Sequence, residues 1–228
     1  AGQLARLSQA GRRVVLVSSG AVGAGLARME LSKRPTDLAS LQAAAAIGQS
    51  VLIESYNRAL EPHNLHAAQV LLTAGDLQDR TRYLNVRNVL NALFQYGAVP
   101  IINENDTVSV EELRLSFGDN DRLAALVTNL LRAPLLVLLS DIDGLYDGSP
   151  SDPGAKVMPI ITDLNSAQEQ HIHDRSADGL QLSTGGMASK LQAVRIATSA
   201  GENVVIANGR RDNVLDDILA GEDVGTLV

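Results

Sequence analysis

Two polar clusters, Asn103-Glu104-Asn105-Asp106 and Gly118-Asp119-Asn120-Asp121, flank one connecting stretch near the middle of the sequence. Their amides and carboxylates suit an amino group and carboxylates on a small ligand. The first cluster follows the apolar run 98–102, which reads as a buried strand, and the second opens an amphipathic segment that reads as a helix. Open α/β sheets bind ligands beyond such strand ends. The plain alternative is that these Asn and Asp residues are turn formers and helix caps.

Three other stretches share that placement. Residues 18–25 (SSGAVGAG) follow the apolar run 13–17. Their small side chains would let a backbone approach an anion, or would simply pack a tight strand–helix turn. The spacing G-x-x-G-x-G is neither a dinucleotide fingerprint nor a Walker A loop. Residues 140–146 carry Asp141 and Asp143 after another apolar run, where carboxylates could contact a nucleotide or hold Mg2+. Residues 184–190 (TGGMASK) set a Gly-Gly turn before a lysine at the start of a helix. Backbone N–H groups, the helix dipole and the ammonium would together hold phosphate oxygens. As a set, the four stretches point to a small-molecule kinase, because phosphoryl transfer needs positioning, a cation and donors around the transferred group.

These stretches require elements to position them. Apolar spacing predicts helices over 3–10, 36–60, 80–96, 119–131, 165–170, 190–200 and 213–219. It predicts strands over 13–17, 65–73, 98–102, 135–139, 156–162, 203–207 and 225–228. Asp76 and Asp79 are placed as caps of the 80–96 helix, whose Arg80, Arg82 and Arg87 read as a solvated or interface face. Alternation of helices with continuous apolar strands predicts an α/β fold with a mainly parallel sheet covered on both sides. The loop 147–154 (DGSPSDPG) reads as a subdomain boundary or a long functional loop.

The totals exclude several classes. The 228 residues fit one large domain or two small ones. A net charge of −7 argues against nucleic acid and anionic membrane surfaces as partners. Aromatic residues make up 3% with no Trp, leaving little material for base-stacking platforms. The absence of Cys removes disulfides, thiol catalysis and thiolate metal sites. The four His, including the pair His171 and His173 in a polar stretch, lack the spacing of a metal motif. Neither an apolar run of about 20 residues nor a signal peptide is visible, so a cytoplasmic small-molecule protein is the expectation.

The segments VVLVSSGAVGAG (14–25), VPIINENDTVSV (99–110), FGDNDRLAA (117–125), LLSDIDGLYD (138–147), TGGMASK (184–190) and VVIANG (204–209) closely resemble the amino-acid-kinase family. INEND, GDND and TGGM-x-x-K resemble in particular its glutamate-phosphorylating branch, as against the acetylglutamate, carbamate and UMP kinases. The resemblance covers essentially the whole chain and implies one domain over 1–228. It implies a three-layer αβα sandwich with a mainly parallel, eight-stranded central sheet. It implies a cytoplasmic enzyme that phosphorylates the γ-carboxylate of L-glutamate with ATP and Mg2+, the first step of proline biosynthesis, with Mg2+ held mainly by ATP phosphates.

Carried over, Ser19, Asp106 and Asn120 are the implied glutamate contacts, with Gly20 and Asn103 beside them. Ser140, Asp141, Thr184, Gly185, Gly186, Met187 and Lys190 are the implied nucleotide contacts. Lys190 would stabilise the moving charge, with Asp119 and Asp121 orienting it and the substrate. The resemblance further implies inhibition by proline through the glutamate site and the 103–118 loop, a homo-oligomer (dimer or tetramer), and a possible hand-off to glutamyl phosphate reductase. Neither nucleic acid nor membrane is an implied partner. Family members begin with a strand bearing a Lys-x-Gly phosphate loop, and many continue into a PUA domain. Neither is found here, so the sequence is expected to be an N-terminally truncated record, and a molecule that lacks the strand is expected to keep a stable binding fold with very poor catalysis. The family also more often has Thr-Asp where this chain has Ser140-Asp141. A non-catalytic sensor of the same fold, or a kinase for another carboxylate, are the alternatives.

Overall fold

The computed structural model describes residues 1–108, 120–149, 152, 154–164 and 186–228. Asp119, Thr184 and Gly185, the predicted helix 165–170, and His171 and His173 lie outside them. The chain divides into two compact units, Ala1–Leu123 and Ala124–Val228. Among the described residues six strands form two three-stranded sheets, one in each unit, where eight strands were expected. Five of the six strands pair in parallel, so the α/β expectation holds.

In the first unit the chain runs α1 (Gly2–Gln9), β1 (Leu16–Val17), α2 (Ala21–Arg28), α3 (Leu38–Leu60), β2 (His66–Leu72), α4 (Ala74–Gln78), α5 (Arg80–Gln95) and β3 (Ala98–Glu104), ending in the first turn of α6 (Asn120–Leu131). Strand β3 lies in the middle, parallel to both neighbours, with Leu16 opposite Ile101 and His66 opposite Ala98. Six of its seven residues are buried, as expected of a strand covered on both faces. Pro100 is tolerated there for a specific reason. Ile102 accepts from Ser18 N–H, and Asn105 donates to Leu72, so even-numbered residues of β3 face β1 and odd-numbered ones face β2. The N–H that Pro100 lacks would therefore point toward β1, whose pairing begins only at Leu16.

Helix α3 covers one face of this sheet. Asp37 caps it by accepting from the Ser40 N–H at 2.9 Å. Ile53, Tyr56 and Leu60 pack on Val99, Ile101 and Leu16. A second stripe, Leu41, Ala44 and Ala45, packs on Ala21 and Val22 of α2. The two helices touch through glycine. A Cβ on Gly48 would lie 1.7 Å from the Ala21 carbonyl oxygen, and one on Gly25 would lie 1.8 Å from that of Ala44.

The second unit holds most of α6, then β4 (Leu135–Ser140), α7 (Gly186–Thr198), β5 (Asn203–Asn208), α8 (Val214–Ala220) and β6 (Thr226–Leu227). Strand β5 is central, parallel to β4 and antiparallel to β6. Asn129 of α6 donates to the Ile196 carbonyl of α7 at 3.1 Å. The fully buried Thr226 hydroxyl accepts from the Leu145 N–H at 2.8 Å.

Several local expectations are corrected. Strand β3 runs two residues past Ile102, through Asn103 and Glu104, because backbone pairing with Leu71 and Leu72 continues beneath polar side chains. The glycine-rich stretch is not all loop: Ala21 already starts α2. Asp76 does not cap α5. It closes a capping box with Thr73 on the separate short helix α4, while Asp79 caps α5. Arg80, Arg82 and Arg87 are exposed, and Arg82 pairs with Asp76 at 3.0 Å. In place of a strand over 156–162, only two bridges occur, Tyr146 with Val157 and Ile160 with Leu227. Helix α7 starts at Gly186, four residues before Lys190, because helix formers follow the glycine at once.

Replacing Gly48 by Ala should lower the unfolding free energy by about 2 kcal/mol, since overpacking of about 3 kcal/mol or more outweighs roughly 1 kcal/mol of helix propensity. Urea unfolding monitored by circular dichroism checks this; a midpoint equal to the parent's would disprove the close helix contact.

Candidate functional site

The polar residues of the first unit gather where β1, β2 and β3 all end. Because Val17 lies opposite Ile102, the next residues, Ser18 and Asn103, are neighbours across the ladder. The chain leaves β1 through Ser18, exposed Ser19 and Gly20, whose φ of +108° caps α2 in a conformation that favours glycine. Gly25, by contrast, serves helix packing, so only the front of the glycine stretch belongs to the site.

Ser19 and Asn120 stand 101 residues apart, yet the Asn120 amide donates to the Ser19 hydroxyl at 2.9 Å. Asn120 is the first residue of α6 and Asp121 the second, where a carboxylate suits the positive helix end. Asn103 is 3% exposed, and its side-chain oxygen Oδ1 accepts from the next residue's N–H, that of Glu104, at 2.8 Å. Asp106 sits in a turn closed by Val108 N–H on the Asn105 carbonyl and by Thr107 on the Asn105 side chain. Burial pushes the Asp106 carboxyl above its ordinary value. Ser19, Gly20, Asn103, Asp106 and Asn120 thus share one end of one sheet.

Nδ2 of Asn103 and Oδ1 of Asn120 are among the buried side-chain atoms there that have no hydrogen-bond partner among the described residues. Each such vacancy costs about 1–3 kcal/mol in a folded chain. One is a donor and the other an acceptor, and Asp106 adds a partly buried negative charge. That set complements a small molecule bearing both a carboxylate and an ammonium.

Helix α3 supports this end from beneath. Gln49, 7% exposed, donates to the Glu104 carbonyl at 3.4 Å and accepts from Gln69 at 3.2 Å. The Tyr56 hydroxyl meets the Ser18 hydroxyl at 2.9 Å. Sequence reasoning passed over Gln49 and Tyr56. The one available signal was a polar residue at each of two positions on the apolar stripe 49, 53, 56, 60.

In the second unit the end of β4 is tied to the end of β5. Gly209 N–H donates to the Ser140 carbonyl, and the Asn208 amide donates to Asp143 at 2.9 Å. Tyr146 reaches the other Asp143 oxygen at 3.5 Å, and Ser140 donates to the exposed Asp141 at 3.3 Å. Met187 and Lys190 lie one turn apart on α7, both partly buried, with Gly186 as its first residue. Lys190 therefore belongs to the helix body, and the helix-end N–H groups are those nearer Gly186. Among the described residues no group of three or more His, Asp or Glu side chains could hold a metal.

Residues 1–208 match the Amino acid kinase family. Proteins named glutamate 5-kinase from Rhodopirellula baltica and Gloeobacter violaceus are 47% and 50% identical over 227 and 224 residues. The alignments cover 100% and 98% of this chain but 58% and 59% of those proteins, so the chain spans under two thirds of the curated relatives it matches. Among solved structures, carbamate kinase from Giardia lamblia bound to AMP-PNP aligns over 99% of this chain and 86% of its own, with a TM-score of 0.64 and 17% identity. An isopentenyl phosphate kinase from T. acidophilum, in a product complex, aligns over 99% and 88% with a TM-score of 0.63 and 18% identity. These likenesses show the fold. No helix among the described residues is long and apolar enough to cross a membrane.

Because burial opposes its charge, Asp106 keeps its proton to higher pH in the folded chain than in the unfolded one. Ligand-free stability from this group is therefore fully present below the unfolded value and is lost as pH rises through the raised folded value. At neutral pH, Asp106→Asn should raise the melting temperature of the ligand-free protein by on the order of 1–3 °C. Differential scanning calorimetry reads it, and a lower melting temperature would contradict the burial.

Proposed function

Since the chain belongs to the amino acid kinase family, we propose that it transfers the γ-phosphoryl group of ATP to the γ-carboxylate of L-glutamate, giving glutamyl 5-phosphate and ADP. The observation that carries this reading is the pair of unpartnered buried atoms on Asn103 and Asn120 at the sheet end that also carries the partly buried Asp106 carboxylate. The Asn103 amide donates to a substrate carboxylate oxygen. Asp106 and the Asn120 carbonyl accept from the substrate ammonium, and Ser19 and the Gly20 N–H complete the shell. The 47–50% identity to proteins of that activity supports the same substrate.

The nucleotide is assigned to Ser140, Asp141, Thr184, Gly185, Gly186, Met187 and Lys190. A γ-carboxylate oxygen attacks the terminal phosphorus, the bond to the β–γ bridging oxygen breaks, and ADP leaves with that electron pair. No general base is needed, because the attacking carboxylate is ionised at neutral pH. Lys190 neutralises charge gathering on the bridge, while Asp119 and Asp121 orient lysine and substrate. The donor set fits a Mg2+ carried on the triphosphate rather than a protein cage, since Asp143 is already engaged by Asn208 and Tyr146. The exposed Asp141 would touch that cation, which would supply charge neutralisation when bound.

Inhibition by proline at the same cluster belongs to this reading, because proline offers the same carboxylate and ammonium without a γ-carboxylate to phosphorylate. A cytoplasmic homo-oligomer that passes its acyl phosphate to a reductase completes it.

Asn120→Ala should raise the glutamate KM about 10- to 100-fold, the worth of a hydrogen bond to a charged group, with the ATP KM nearly unchanged. Lys190→Ala should instead lower kcat about 10²- to 10³-fold while calorimetry still finds glutamate bound. A hydroxamate assay for the acyl phosphate reads both. Glutamate binding without any acyl phosphate in a full-length version of the protein would replace the kinase by a sensor. ADP release with acetylglutamate, aspartate or carbamate, but not glutamate, would move the substrate.

A further inference from the structure

Tyr56 lies on α3, outside the four stretches that carry the chemistry, and its ring packs among Leu60, Val99, Ile101 and Leu16. Its hydroxyl is 2.9 Å from that of Ser18, a residue only 6% exposed. The Ser18 hydroxyl also lies 3.2 Å from the Ser19 carbonyl oxygen. Proton counting settles the direction of both bonds. A carbonyl only accepts, so the single Ser18 proton goes to Ser19, and Tyr56 must donate to Ser18. A two-step relay results, Tyr56 O–H to Ser18 O–H to Ser19 C=O, anchored in the apolar layer beneath the sheet.

The relay holds the Ser19–Gly20 peptide plane. In a trans peptide the Gly20 N–H points opposite the Ser19 carbonyl, and the described chain has no cis bond. With the carbonyl drawn down toward α3, the Gly20 N–H is turned up and away from it. Gly20, at φ +108°, has the conformational freedom to let that peptide rotate if the relay is cut. Ser18 is further fixed by its own N–H on the Ile102 carbonyl at 2.8 Å.

We infer that Tyr56 is a positioning residue for substrate binding, acting through Ser18 to set the Ser19 hydroxyl and Gly20 N–H that receive a substrate carboxylate. This rests on the glutamate reading above. Tyr56 touches no substrate itself.

The test uses the full chain with Tyr56→Phe, which keeps the ring and its packing, together with Ser18→Ala, Ser18→Thr and the Tyr56→Phe/Ser18→Ala pair. Titration calorimetry with L-glutamate and with ATP is combined with the NMR order parameter of the Gly20 amide in the ligand-free protein. Tyr56→Phe should weaken glutamate about three- to tenfold, the range of one neutral hydrogen bond, and leave ATP unchanged. The Gly20 order parameter should fall, because the Ser19–Gly20 peptide is then free to rotate. The double variant should be no worse than Ser18→Ala alone, and Ser18→Thr should bind within about twofold of the parent because the hydroxyl is kept. Parent-like glutamate binding by Tyr56→Phe, equal losses for glutamate and ATP, or additive single effects would each overturn the inference. Failure of the parent to bind glutamate would overturn the substrate reading and the positioning role together. The Gly20 order parameter would then still report the relay, and a value unaltered by Tyr56→Phe would remove the relay as well.

Discussion

The parallel register of β1 on β3 is the constraint from which the site follows. Leu16 opposite Ile101 and Val17 opposite Ile102 place Ser18 beside Asn103, so a turn and a strand end far apart in the chain open at the same edge. Side chains alternate along a strand, and a slip of β1 by one residue would move Leu16 off α3 and turn Ser18 to the opposite face, away from Asn103. The apolar contacts of Leu16, Val99 and Ile101 with Ile53, Tyr56 and Leu60 forbid that slip. Core packing and ligand geometry are therefore set by the same alternation.

Helix α3 joins the two. Its small residues let α2 approach until Gly48 and Gly25 lie against opposing backbones, which holds the Ser19–Gly20 turn close to the sheet. The stripe turned to the sheet carries Gln49 and Tyr56 among apolar neighbours, and each makes a hydrogen bond near a strand end. A buried polar group without a partner is expensive, so such residues persist where their bonds are satisfied. Asn103 and Asn120 differ in leaving one buried atom each without a partner, and Asp106 carries a charge that burial opposes. The ligand-free site thus holds unfavourable free energy that a zwitterionic ligand would relieve, the usual relation between stability and function at a binding site.

The second unit repeats the logic with fewer polar groups. Adjacent parallel strands, β4 and β5, end side by side, and the Asn208 to Asp143 and Gly209 to Ser140 bonds tie those ends together. Gly225, at φ +80°, lets the chain turn back against Ile206 so that β6 closes the sheet edge antiparallel. The match of residues 1–208 to one family is consistent with strand-end loops bearing the chemistry in both units.

Much of this was legible in the sequence because it is local. Apolar runs fixed where β2, β3, β4 and β5 lie, and cap residues such as Asp37 and Asp79 marked helix starts. The clusters around Asn103 and Asn120 announced themselves by residue type. Boundaries failed where one signal had two meanings: Gly186 reads as a turn but begins a helix, and Asp76 reads as a cap for α5 but belongs to α4. The resemblance alone grouped Ser19 with Asn120, and only tertiary structure joined them by a direct hydrogen bond, assigned Gly25 to helix contact rather than ligand, and set Tyr56 under Ser18. The physical reason is range. Periodicity and capping act over a few residues, whereas these pairings depend on which strand lies beside which and on what each helix face is pressed against.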